Sequence, residues 1–307
     1  MGSIESTYKS RDVEEIVDIY LYRPWGYALA LLARRLKMTP NQVTVVGMVV
    51  GVLAGHFFFY DDVWLNLLGV FLWAFGQALD GADGQLARMT DTRSQLGRML
   101  DGLSDNAKFT SLYLHLGLRL VVLFGTPWAF LIAAVAGFTH SYQSTLADFY
   151  RNAYLYFVVD PSKAELEVSK VLWDDYARLS WGRNFIRKGM TRMYITYTTR
   201  QERWCGFSTK LQKRARERFG ENFPDSLRDK YRALNKPLLK YYNALTTNTR
   251  MLVLYTSLIL GNVLIFFFFE ILVLNTIMAL LLFRFQKRAD REIESEIARP
   301  EPAPLTV

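Results

Sequence analysis

Cysteine is almost missing from this chain. Cys205 stands alone among 307 residues, which excludes an internal disulfide and a cysteine metal cluster. Histidine is nearly as scarce, and His56, His115 and His140 lie in apolar stretches without metal-ligand spacing. No short signal-peptide pattern opens the chain, because residues 1–18 are polar and charged. There is no internal repeat. With 51% hydrophobic, 15% aromatic and 21% charged residues, a disordered chain and a collagen-like chain are excluded too.

What is present divides into two populations, oily runs and one polar, basic block. Residues 151–250 hold 21 Lys and Arg against 10 Asp and Glu, while the rest of the chain holds 16 against 19. The net charge of +8 therefore comes from that block. Beside oily spans, such a block faces an anionic membrane surface more often than nucleic acid, and it carries no nucleic-acid motif.

A helix crosses a bilayer with about 20 apolar residues. Runs of that kind cover about Val43–Tyr60, Val63–Leu79 (its helix continuing to Arg88), Leu96–Phe124, Trp128–Tyr150, Met251–Phe268 and Ile271–Phe285. The last two are divided at Glu270, where a tight turn is expected. Lys and Arg gather at one set of ends: Arg34, Arg35 and Lys37; Arg88, Arg93 and Arg98; the basic block; then Lys287, Arg288 and Arg291. The opposite loops hold Asp61, Asp62 and Glu270. Six spans with both termini cytoplasmic satisfy the positive-inside rule at every loop.

The expected fold is thus all-α. It is a polytopic membrane protein with six transmembrane helices, an N-terminal interfacial amphipathic helix and a cytoplasmic helical insertion. Residues 1–38 form the tail and the interfacial helix, in which YLYRPWGYALALLARRLKM is aromatic and leucine-rich with a basic end. Residues 39–155 carry spans one to four, 156–246 the basic insertion, 247–290 spans five and six, and 291–307 a flexible, proline-rich tail.

Carboxylates stand where apolar residues would cost less. Asp80 and Asp83 end span two, and Asp101 and Asp105 lie within span three. Ionisable residues in a span must be paired, hydrated or bound to a cation, so each marks a site. The i,i+3 and i,i+4 spacings put each pair on one helix face. Two antiparallel helices with a short link can bring all four around one point. A hard divalent cation, Mg²⁺ or Mn²⁺, resolves the repulsion between them. Gly81, Gly84, Ala87 and Gly97 remove bulk nearby. That serves close helix packing, or room for a flat anionic ligand beside Arg88.

The stretch DGADGQLARMTDTRSQLGRMLDGLSD, residues 80–105, resembles the signature of the CDP-alcohol phosphotransferases: D-x-x-D-G-x-x-A-R, eight residues, then G-x-x-x-D-x-x-x-D. Asp80, Asp83, Gly84, Ala87, Arg88, Gly97, Asp101 and Asp105 match every fixed position. TPNQVT, residues 39–44, resembles the family's entry to its first span. The resemblance covers about residues 20–158 and the last two spans, and the chain is similar to the longer bacterial lipid-synthesis members.

That resemblance implies transfer of a phosphoryl-alcohol group from a CDP-alcohol to a hydroxyl, with CMP leaving. It implies Asp80, Asp83, Asp101 and Asp105 as ligands of Mg²⁺ or Mn²⁺, with two ions, and Asp105 as general base. Asp80, Gly84, Ala87, Arg88 and Gly97 would bind the nucleotide, Arg88 either holding a phosphate or bracing a carboxylate. Arg151 and Arg250, at the cytoplasmic rim, are the candidate acceptor-binding residues; topology alone also puts arginines there. The leading expectation is CDP-diacylglycerol as donor and inositol phosphate as acceptor, by a homodimer in a bacterial inner membrane with its site on the cytoplasmic side. The alternative is a soluble CDP-alcohol donor with a lipid alcohol acceptor. A distant alternative is a non-enzymatic cation-binding membrane protein. No nucleic-acid partner is expected. The basic insertion caps the acceptor pocket or rests on anionic headgroups.

Overall fold

In the computed structural model, residues 10, 12–166, 168–182 and 184–299 are described, and they are helical with no strand among them. Helix α1, Arg23–Arg35, has Pro24 in its first turn, where the missing N–H is no loss. Its small residues Gly26, Ala30 and Ala33 face inward, while Trp25, Leu32 and Leu36 are exposed.

The next three helices start on side-chain caps. Helix α2, Pro40–Phe57, opens with a capping box: Thr39 Oγ1 accepts from Gln42 N at 3.3 Å, and Gln42 Oε1 accepts from Thr39 N at 2.8 Å. Helix α3, Val63–Met89, is capped by Asp62, whose Oδ1 accepts from Trp64 N and Leu65 N at 2.9 Å. Helix α4, Gln95–Phe124, is capped by Ser94 and stopped by Gly125 at φ +64°. A Pro127–Ala129 turn then leads into α5, Phe130–Tyr154.

Glycines let these helices approach. Gly47, Gly51 and Gly55 repeat every fourth residue along α2. A methyl on Gly47 would come within 3.2 Å of Leu79 Cβ, and one on Gly55 within 2.9 Å of Leu112 N. The core between α2, α3, α4 and α5 is apolar and aromatic, with Phe58, Trp73, Leu112, Leu116, Leu120 and Ala133 buried.

Four further helices follow: α6 Ser169–Arg178, α7 Phe185–Trp204, α8 Gly206–Phe219 and α9 Asp225–Ala244. Leu172, Met190 and Ile195 pack on Met99 and so lay α6 and α7 against the start of α4. The chain closes with α10, Thr247–Ile259, and one long helix α11, Leu264–Ile297.

Four described helices are long and apolar enough to cross a bilayer: α2, α3, α4 and α11. The expected fourth and fifth spans do not qualify. The second half of α5 carries His140, Gln143, Asp148, Arg151 and Asn152. Helix α10 is about 20 Å long, short of the roughly 30 Å hydrocarbon core. The turn expected at Glu270 is corrected too. The break falls at Gly261, which takes φ +66°, a left-handed conformation that glycine adopts without strain. Glu270 lies inside α11, fully buried. Helix α11 also runs past Arg291 to Ile297, into the stretch expected to be a flexible tail. Residues 300–307 of that tail lie outside the described residues.

Candidate active site

Helices α3 and α4 are joined by a short link at Thr90–Ser94, where Asp91 takes φ +51°, and both pack on α2. The end of α3 carries Asp80 and Asp83, and the start of α4 carries Asp101 and Asp105. All four line one cavity of about 1090 Å³.

Each carboxylate sits differently. Asp83 is buried, and its Oδ2 accepts from Thr44 Oγ1 at 2.5 Å, so the first turn of α2 is tied to the end of α3. Asp80 Oδ1 and Asp105 Oδ1 both accept from Lys108 Nζ, at 2.8 and 2.7 Å. The Asp105 side chain stays half exposed to the cavity. No described residue donates a hydrogen bond to Asp101. The four are thus gathered in one cavity, but no three carboxylates among the described residues close into a ready-made metal cluster. The donor chemistry fits a hard cation, since every candidate ligand is a carboxylate oxygen. Thr44 and Lys108 already engage three of the four.

Arg88 lines the same cavity and is folded back over Gly84, where a Cβ would lie 3.4 Å from Nη2. Its Nε is buried without a hydrogen-bond partner, and no described carboxylate forms a salt bridge with it. A half-buried guanidinium whose Nε has no internal acceptor is set to receive an anion from the cavity. Gly84, Ala87 and Gly97 are also in the wall.

The cavity reaches well beyond the signature. One part lies between α4, α5 and α7, where Phe109, Tyr113, Leu114, Phe130, Ala133 and Gly137 make an apolar lining. Another is polar, with Glu15, Asp18, Arg151 and Asn248. Glu15 accepts from Thr246 and, at 3.0 Å, from Asn248 Nδ2, which also donates to Asp18 at 2.9 Å. Burial pushes the Glu15 and Asp18 carboxyls above their usual range, while the nearby charge of Arg151 pulls them down.

The two arginines expected at the acceptor separate. Arg151 is in the wall, but Arg250 is not. Arg250 is fully buried and engages Glu270 Oε1 at 2.5 Å, Gln143 Oε1 at 3.1 Å, and the carbonyls of Leu245 and Thr246 at 2.6 and 3.0 Å. Its donors are spent inside the protein, and it binds α10 to α11. Motif spacing alone does not single out Thr44 and Lys108. A lysine three residues after Asp105 in an apolar run is as costly as the aspartate, and the i,i+3 spacing was the available signal.

Residues 37–165 match the family model of the CDP-alcohol phosphatidyltransferases, a stretch holding all four aspartates and helices α2 to α5. Residues 37–165 are thus similar to a CDP-alcohol phosphatidyltransferase domain. Over 99 residues the chain is 31% identical to an archaetidylinositol phosphate synthase of Pyrococcus horikoshii, covering 32% of this chain and 51% of that protein. The chain thus spans about half the length of the curated relative it matches. No solved structure matches it. The apolar helices of the matched stretch accord with an integral membrane protein. Helices α6 to α11 lie beyond the matched stretch.

Proposed function

We propose that this protein transfers the phosphatidyl group of CDP-diacylglycerol to a hydroxyl of a polar acceptor, releasing CMP, and that the acceptor is inositol phosphate. The observation that carries this reading is a single cavity that joins the four aspartates and Arg88 to an apolar lining on one side and to Arg151 on another. A lipid with a charged headgroup needs the first two together. A phosphorylated acceptor needs a cation beside the carboxylates.

Asp80, Asp83, Asp101 and Asp105 would hold Mg²⁺ or Mn²⁺, which when bound supplies charge neutralisation for the pyrophosphate. Arg88 donates to a phosphate oxygen, as its unpartnered Nε favours. Gly84, Ala87 and Gly97 leave a flat wall for the cytidine. The acceptor oxygen attacks the phosphatidyl phosphorus, the bond from that phosphorus to the CMP oxygen breaks, and the acceptor's proton passes to the Asp105 carboxylate. Asp105 suits this because it is held by Lys108 yet half exposed to the cavity. A carboxylate is a weak base, so positioning supplies much of the effect. The name of the Pyrococcus relative supports an inositol phosphate acceptor.

The test compares acceptor KM for inositol phosphate and for inositol, in the wild type and in Arg151→Ala. The substitution should raise the inositol phosphate KM about 10- to 100-fold, the worth of one charge-assisted contact, with little change in the CDP-diacylglycerol KM. A wild type that prefers inositol, or uses neither, overturns the acceptor. Turnover only with a soluble CDP-alcohol and a lipid alcohol overturns the donor.

A further inference from the structure

Lys108 sits where the carboxylates meet. Its side chain is 1% exposed, and Nζ contacts Asp80 Oδ1 at 2.8 Å, Asp105 Oδ1 at 2.7 Å and Gln77 Oε1 at 3.4 Å. An ammonium has three N–H donors, and here three acceptors surround it. Two of them belong to α3 and one to α4.

The third helix makes the room. The stem of Lys108 runs across Gly51 of α2, where a methyl would come within 2.5 Å of Cγ and 2.6 Å of Cδ. Three helices therefore cooperate to place one charge. Burying an ammonium this deep carries a desolvation cost that only its paired carboxylates offset.

The consequence is for the number of ions. Two divalent ions side by side need carboxylates that bridge them. Asp80 and Asp105 each give one oxygen to Lys108, and Asp83 gives one to Thr44. The carboxylate oxygens left over, with Asp101, can serve one hard cation, which completes its shell with water and phosphate. On the reading of these aspartates as metal ligands, we propose that Lys108 is a resident cation standing in place of a second divalent ion, so that the site takes one divalent ion per chain.

The test is a Mn²⁺ titration of the purified full chain in detergent, with bound ions counted from the free-ion electron paramagnetic resonance signal. The wild type should bind one Mn²⁺ per chain. Lys108→Met keeps the stem and removes the charge, and should bind two. Gly51→Ala pushes the stem aside by another route and should also bind two. Two ions in the wild type, or one ion in both variants, overturns the proposal and leaves the metal-site reading standing. No Mn²⁺ bound by any of the three overturns that reading, and the proposal with it.

Discussion

Arg250 and Glu270 neutralise each other out of reach of water, and both side chains are fully buried. Removing one partner leaves the other charge uncompensated. Arg250→Ala should therefore destabilise the protein by about 3–5 kcal/mol, while the Arg250→Met/Glu270→Leu pair should recover most of it. Thermal unfolding in detergent measures both; an Arg250→Ala protein as stable as the wild type would contradict the burial argument. At Asp105 the expectation is kinetic. Asp105→Asn keeps the size and removes the base, so turnover should fall about 10²- to 10⁴-fold with CDP-diacylglycerol binding little changed. Near-normal turnover would assign the base elsewhere. The sequence made the four aspartates legible because acids in an oily run stand out. It hid the partner of Glu270, which lies 20 residues away in another helix. Hydropathy alone therefore makes the acid a loop residue and Arg250 a rim residue.

Among the elements, α2 to α4 were the most legible. Their caps are local: Thr39 with Gln42, Asp62, and Ser94 each announce a helix start within three residues. The final helix was not, because hydropathy cannot separate a loop acid from a buried, paired one. In sequence the segment before α1 is only polar and charged, yet Glu15 and Asp18 clasp Thr246 and Asn248 beside the cavity. Their raised carboxyls set a sign. The docked segment favours the protonated acids, so their contribution is fullest below the ordinary carboxylate pKa and is lost as pH rises through the raised values. Asp12 has the opposite sign, because its hydrogen bond from Lys236 lowers it, and its contribution is lost only below its ordinary value of 3.8. Between pH 5 and pH 8 the first pair decides. Hydrogen-exchange protection factors for residues 12–22 should be higher at pH 5 than at pH 8, and Glu15→Gln/Asp18→Asn should flatten the difference. Protection that falls on acidification in this range would contradict it.

At the scale of the whole molecule, the domain matched by the family is one wall of a larger enclosure. Helices α2 to α5 bring the aspartates, α7 lays Met190, Met193, Tyr194 and Tyr197 along the cavity, and the N-terminal segment and the start of α10 close another side. Phosphatidyl transfer in that enclosure is open to a single direct assay. Purified protein is given CDP-diacylglycerol and radiolabelled inositol phosphate, and CMP and labelled lipid are counted with and without a chelator. The two products should appear in equal amounts, stop in chelator and return with Mg²⁺ or Mn²⁺. No CMP from CDP-diacylglycerol, or full turnover in chelator, would contradict it.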